Sequence, residues 1–327
     1  MDAKLLDLLV CPGCRAELAC DAAVTDVDGG IVTGALKCTG CGASYPIERG
    51  IPRFVPSENY ASSFGYQWNR FKQEQIDSTN GTRQSENRVF SETGWTREWL
   101  RGKWVLDAGC GAGRFLDALT DTEAQVVGVD ITNAVDAAQS NLGGKRNVHL
   151  VQASIYELPF RDGAFDGCYC IGVIQHTPDP DRTVRSLPRV VKEGGRLAVT
   201  IYERRRFTPL NMKYLVRPLT RRMSRTALLS TIRATMPVFF PLTELLFRIP
   251  VLGRAARFVI PVANYVEKPD LNVRQRYQWA VLDTFDMLAP AYDQPQREDD
   301  VRRALESSGV RQVTRLPNPG LNLVGVK

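Results

Sequence analysis

The stretch "WVLDAGCGAGRF", residues 104–115, decides the fold. A short apolar strand, Trp104 to Leu106, runs into Asp107 and then into three alternating glycines, Gly109, Gly111 and Gly113. A dinucleotide fingerprint, G-x-G-x-x-G, seats a pyrophosphate on a helix N-terminus. Here Arg114 stands where the third fingerprint glycine belongs. Asp107 sits just before the loop, where an acid repels a pyrophosphate and attracts an ammonium group. The pattern D-x-G-x-G-x-G therefore favours a nucleoside that carries an amino acid.

The next acid agrees. "AQVVGVD", residues 124–130, reads as a second strand that ends at Asp130. Asp130 lies 23 residues after Asp107, about where a doubly wound fold places its ribose-binding carboxylate. One carboxylate for a ribose, one for an amino group, and glycines that let the backbone approach closely describe S-adenosylmethionine. Taken singly, a glycine is a turn residue and an aspartate a helix cap. The joint spacing carries the assignment.

Three further stretches extend the pattern: "VQASIYELPFRDGAFDGCYCIGVIQHTPDP" (151–180), "LPRVVKEGGRLAVTIYE" (187–203) and "VRQVTRLPNPGLNLVGVK" (310–327). With the glycine loop they resemble the class I S-adenosylmethionine-dependent methyltransferases of the small-molecule and quinone-type branch. The resemblance covers about residues 104–203 and 297–327. It implies an α/β fold: a doubly wound, Rossmann-like, seven-stranded sheet with an antiparallel last strand. It also implies roles. Asp107, Gly109, Gly111 and Gly113 surround the methionine moiety, and Asp130 takes the ribose hydroxyls. Ile131 packs beside the adenine, Ser154 and Ile155 take its edge, and Ile171 lines the floor. The family usually has an acid where Ser154 stands, and a serine makes a weaker hydrogen bond than a charged group.

Cysteine usage is uneven. Five of eight cysteines lie in the first 41 residues. A disulfide framework belongs to small secreted domains, which this chain is not. The spacing Cys11-x2-Cys14, then 23 residues, then Cys38-x2-Cys41 aims four thiolates at one point. It predicts a structural zinc with no open position, and Cys20 falls outside it. "LLDLLVCPGC" (5–14) and "YPIERGIPRFVP" (45–56) resemble the small zinc-ribbon proteins that activate tRNA and release-factor methyltransferases. In that family the ribbon is a docking and stabilising module; here it is fused to its own client.

The expected organisation is a ribbon over 1–56, a helical cap or linker over 57–103, and the cofactor-binding core over 104–203. A basic apolar helical insertion follows over 204–290, and a closing helix with the last two strands over 291–327. The cap segment holds Phe64, Tyr66, Trp68 and Phe71 within eight residues. Tyr66, Gln67 and Trp68 are expected over the cofactor or facing the substrate; core packing is the bland alternative. From Glu203 to Ala263 the chain carries twelve Lys or Arg and two Glu, about +10, against +6 for all 327 residues. Pro237, Pro241, Pro250 and Pro261 are expected to break it into short helices. This insertion reads as a substrate lid, as a peripheral membrane contact through 204–263, as an RNA-binding surface or as a homodimer interface. Arginines interleaved with large apolar residues favour lipid or an apolar substrate over RNA.

The short apolar run at the N-terminus is no secretory signal, no run reaches spanning length, and the expected location is cytoplasmic. The function expected is methyl transfer to a small-molecule, secondary-metabolite, lipid-linked or sugar acceptor. The alternative is an RNA methyltransferase that grips RNA through ribbon and insertion. A hydroxyl acceptor needs a base. His176, after the fourth strand, is the first candidate, with Asp283, Asp286 and Tyr292 in reserve. His149, in "NVHLVQA" (147–153), reads as structural by strand alternation.

Overall fold

The computed structural model describes residues 1–27, 29–56 and 58–327. Near the N-terminus β1 (Leu18–Thr25), β2 (Ile31–Cys38), β3 (Ser44–Glu48) and β4 (Ile51–Pro52) form an antiparallel sheet in sequence order. The second sheet has seven strands: β5 (Trp104–Ala108), β6 (Gln125–Asp130), β7 (Val148–Gln152), β8 (Phe165–Ile171), β9 (Val191–Ile201), β10 (Arg311–Arg315) and β11 (Leu321–Val326). Their order is β10-β11-β9-β8-β5-β6-β7. Neighbours from β9 to β7 pair parallel, and β11 runs antiparallel to both β9 and β10. This is the expected α/β sheet with its antiparallel last strand. Helices cover both faces, so β5 is buried from Val105 to Ala108, as parallel strands are.

The chain winds outward from β5 through β6 and β7, then returns to the other side of β5 with β8. That reversal opens a crevice at the carboxyl ends of β5 and β8, where open α/β sheets hold their ligands.

The ribbon is too small to bury a core alone, and it borrows one. Leu5, Leu9, Leu36 and Ile47 pack in one cluster with Val127, Val151, Phe160 and Phe165 of the large sheet and its loops. The backbone joins too: the Val10 amide donates to the Pro159 carbonyl at 2.9 Å, and the Arg161 amide to Leu8 at 2.9 Å. At the β7 end the Phe54 amide donates to Gln152 at 2.8 Å. The half-buried Arg53 guanidinium reaches the Gln152 side chain at 2.6 Å and Asp136 at 2.7 Å.

Helices Met212–Thr220, Arg225–Leu246, Pro250–Val259 and Val273–Leu288 follow β9. Leu228, Ile232, Met236 and Phe240 pack against Ala280, Phe285 and Leu288, together with Tyr66 and Phe71 of the earlier helical segment. One sequence expectation fails here. Pro237 and Pro241 do not break the chain but lie inside the single helix Arg225–Leu246. The two are one turn apart on the exposed face. The carbonyls that lose their donors therefore face water, which satisfies them. Pro250 opens its helix and Pro261 follows one, as expected. A buried ion pair, Lys213 to Asp293 at 2.9 Å, ties the insertion to the returning chain. Among the described residues no helix is long and apolar enough to cross a membrane.

Leu9 is 1% exposed between ribbon and sheet. Leu9→Ala is expected to cost about 2–5 kcal/mol. Calorimetry should show one transition at a lower Tm, because ribbon and sheet share their core. A separate early ribbon transition with an unchanged main peak would contradict the shared core.

Candidate active site

The four ribbon sulfurs of Cys11, Cys14, Cys38 and Cys41 lie within 4.8 Å of one another. Cys11 and Cys41 are 3.7 Å apart, and Cys14 and Cys38 3.3 Å. Zinc–sulfur bonds of about 2.3 Å in a tetrahedron separate sulfurs by about 3.8 Å, so the set fits one zinc ion. The amides of Gly40 and Cys41 point at Cys38 Sγ, at 3.4 and 3.3 Å, and stabilise a thiolate there. Cys20 lies outside the cluster on β1.

At the end of β5 the glycine loop is shaped by backbone sterics. Gly109 has φ +97°, and a side chain there would meet Val173 at 2.4 Å. The Gly109 and Cys110 amides both donate to the Val129 carbonyl, at 2.7 and 3.0 Å. The Gly111 amide donates to Asp130 Oδ2 at 3.0 Å, while Thr132 donates twice to Oδ1 at 2.8 Å. Asp130 is thus aimed by the loop, and burial raises its pKa.

These groups line a cavity of about 890 Å3. Its floor is Gly109, Gly111, Asp130, Ile131, Ile155 and Ile171. Trp68 roofs it: its indole packs on Gly111, and a Cβ there would sit 3.0 Å from Nε1. Phe64, one helical turn away in helix Ser62–Arg70, lines the same cavity. A carboxylate between two isoleucines under an indole fits the ribose and base of a nucleoside, which is the cofactor's chemistry.

Beyond the loop the cavity widens into a charged chamber. Asp283 and Asp286, on helix Val273–Leu288, line it from above. Burial pushes both carboxyls up to about 6, with Asp286 adding repulsion at Asp283. The Tyr265 hydroxyl and Gln75 amide donate to Asp283, and the Gln67 amide to Asp286 at 3.1 Å. Arg114 faces the same space. Burial and the neighbouring Arg88 lower its pKa to about 10. His176 is buried, and its Nδ1 lies 2.9 Å from the Tyr292 carbonyl. A carbonyl only accepts, so Nδ1 carries the proton and Nε2 keeps its lone pair. Nε2 has no hydrogen-bond partner. Burial lowers the imidazole to about 4, which keeps it neutral near pH 7.

The cavity brings together Trp68, Gly109, Gly111, Asp130, Ile131, Ile155, Ile171, His176, Asp283 and Asp286. Five expected residues lie elsewhere, each for a local reason. Tyr66 points to the insertion and packs on Phe285, at 5.9 Å between ring centroids, because residues two apart on a helix face apart. Asp107 is 1% exposed beneath the loop. Its Oδ2 is unpartnered, and burial raises its pKa far above the usual range. Gly113 serves packing: a side chain there would meet Leu142 at 2.8 Å. Ser154 caps the following turn, accepting from the Tyr156 amide at 3.2 Å. Tyr292 contributes only its carbonyl and stacks edge-on to Tyr60. His149 stacks on Trp104 at 5.3 Å, on β7.

Sequence reading missed Arg88, Tyr202, Tyr265 and Lys268, all lining residues. Arg88 bonds Glu92 one turn on, at 2.7 Å. That i,i+4 pair looks like any solvated helix face in sequence. Only the fold turns it inward.

Residues 106–199 match a methyltransferase domain, and residues 2–50 match the Trm112p-like proteins. The chain therefore joins a methyltransferase domain to a Trm112p-like ribbon. The O-methyltransferase rstn1 of Aspergillus nomiae is 31% identical over 117 residues, 34% of this chain and 52% of that one. The ubiquinone biosynthesis O-methyltransferase of Thiobacillus denitrificans is 38% identical over 104 residues, 31% of this chain and 44% of its own length. The chain spans about half the length of these curated relatives. Among solved structures, a complex of the Haloferax volcanii Trm112 methyltransferase activator with its candidate methyltransferase aligns at 13% identity. It covers 82% of this chain and 99% of that one, with a TM-score of 0.45.

Two outcomes follow for the methyltransferase domain and its ribbon. Zinc binding at the four-cysteine cluster is expected to raise the Tm of the whole chain, read by calorimetry with zinc, after chelation and after zinc is restored. The second concerns pH. Folded Asp283 holds its proton up to about 6, while the unfolded carboxyl releases it near 3.8. Stability from this group is present at low pH and lost as pH rises through that window. Asp283→Asn should therefore stabilise by about 3 kcal/mol near pH 8 and by little below about pH 4. Denaturant melts of both proteins at the two pH values check this.

Proposed function

We propose that the chain transfers a methyl group from S-adenosylmethionine to a hydroxyl of a small-molecule acceptor. The observation that carries this reading is one continuous cavity. The glycine loop, Asp130 and His176 line it together, and His176 Nε2 is buried with no hydrogen-bond partner among the described residues. The cofactor supplies a methyl group already activated on a sulfonium. The chain's own task is to bind, align and deprotonate. Asp130 accepts from the ribose hydroxyls, Ile131 and Ile155 flank the base, and Trp68 excludes water. His176 Nε2 accepts the acceptor's proton. The Tyr292 carbonyl supports this by fixing the tautomer. Asp283 and Asp286, which accept from Tyr265, Gln75 and Gln67, shape the acceptor end of the cavity. Small-molecule O-methyltransferases among the matched relatives support the acceptor class.

The test incubates purified protein with methyl-labelled S-adenosylmethionine and a cell lysate, then separates small molecules, lipid, protein and RNA. Label in the small-molecule or lipid fraction is expected. Label confined to RNA overturns the acceptor class. Asp130→Ala should remove cofactor binding by calorimetry. His176→Gln should keep cofactor affinity while lowering kcat about 100-fold or more. An unchanged kcat would remove His176 as the base.

A further inference from the structure

Twelve of the sixteen large apolar side chains exposed among the described residues fall between Phe207 and Val259. Leu215 and Leu219 stand one turn apart on helix Met212–Thr220, 62% and 69% exposed. Leu242 and Leu245 do the same on Arg225–Leu246, and Val251 and Val259 lie two turns apart on Pro250–Val259. Phe207 and Phe258 meet Tyr214 around one small pocket, so the first and third of these helices are neighbours. Soluble monomers rarely leave so much apolar surface uncovered.

The charges on the same segment select the partner. Arg204, Arg206, Arg221, Arg222, Arg233 and Arg254 are exposed, and among the described residues no acid pairs with them. The one acid inside 204–263, Glu244, is taken by Arg248 at 2.9 Å and Arg276 at 3.3 Å. A second copy of the chain would set these arginines against their own copies. RNA would leave the leucines and valines in water. A bilayer carrying anionic lipid matches both features: arginines reach phosphates while leucines and valines enter the acyl boundary. The helices cannot span it, so they lie on it.

We propose that the helices between Phe207 and Val259 form a membrane-surface docking site for anionic phospholipid. The site adjoins the cavity, because Tyr202 and Lys213 line both the cavity and the small pocket. This proposal does not depend on methyl transfer, and its readout is binding alone.

The test floats the full-length protein with vesicles of phosphatidylcholine, with and without phosphatidylserine, and measures its mass in solution. Flotation is expected with the phosphatidylserine vesicles and should weaken as salt rises. The exposed triple variant Leu219→Glu, Leu245→Glu, Val251→Glu should lose about tenfold or more in partitioning. Arg221→Glu with Arg222→Glu should lose about tenfold. Both variants should keep the parent Tm, since all five side chains are exposed. Three results overturn the proposal: no flotation with either vesicle, a dimer in solution that the triple variant dissolves, or flotation that the charge variant leaves unchanged.

Discussion

One carbonyl organises the centre of this molecule. The Val129 oxygen, at the end of β6, accepts from both Gly109 and Cys110 amides. It holds the loop after β5 in a turn that only glycine enters without strain, at φ +97°. The next amide, Gly111, then reaches the Asp130 carboxylate. Loop shape and carboxylate position are therefore one constraint. The absence of a side chain at Gly111 lets Trp68 descend on the loop, which brings the helical segment before the sheet into the cavity wall.

The insertion completes that wall at an electrostatic cost. Asp283, Asp286, Arg114 and His176 are all drawn towards neutrality by burial. The chamber holds both signs in a low-dielectric setting, where each group is sensitive to what enters. Hydrogen bonds decide which groups remain open. Asp283 accepts from Tyr265 and Gln75, whereas His176 Nε2 has no hydrogen-bond partner among the described residues.

The ribbon shows the same economy. Its sheet contributes one apolar face, and the large sheet's outer loops contribute the other. A metal in the four-cysteine cluster would therefore brace the whole chain.

Chain-local features were legible without a structure. The glycine loop, Asp130 and the Cys-x2-Cys pairs are short motifs whose geometry follows from neighbouring residues. The seven-stranded sheet with its antiparallel last strand came from the resemblance to the class I methyltransferases. What sequence could not decide is which face a residue turns. Tyr66 and Trp68 are two residues apart, yet only Trp68 meets the cavity. Ser154 and Ile155 are adjacent, yet only Ile155 does. Prolines read as breakers sit inside a helix because their freed carbonyls face water. The sequence by itself determined the fold class, the four-cysteine cluster and the shape of the glycine loop, because backbone sterics and residue spacing act over a few residues. The tertiary structure alone decided the charged part of the cavity. Arg88 precedes Tyr265 and Asp283 by 177 and 195 residues, and only packing onto the sheet brings the three to one cavity.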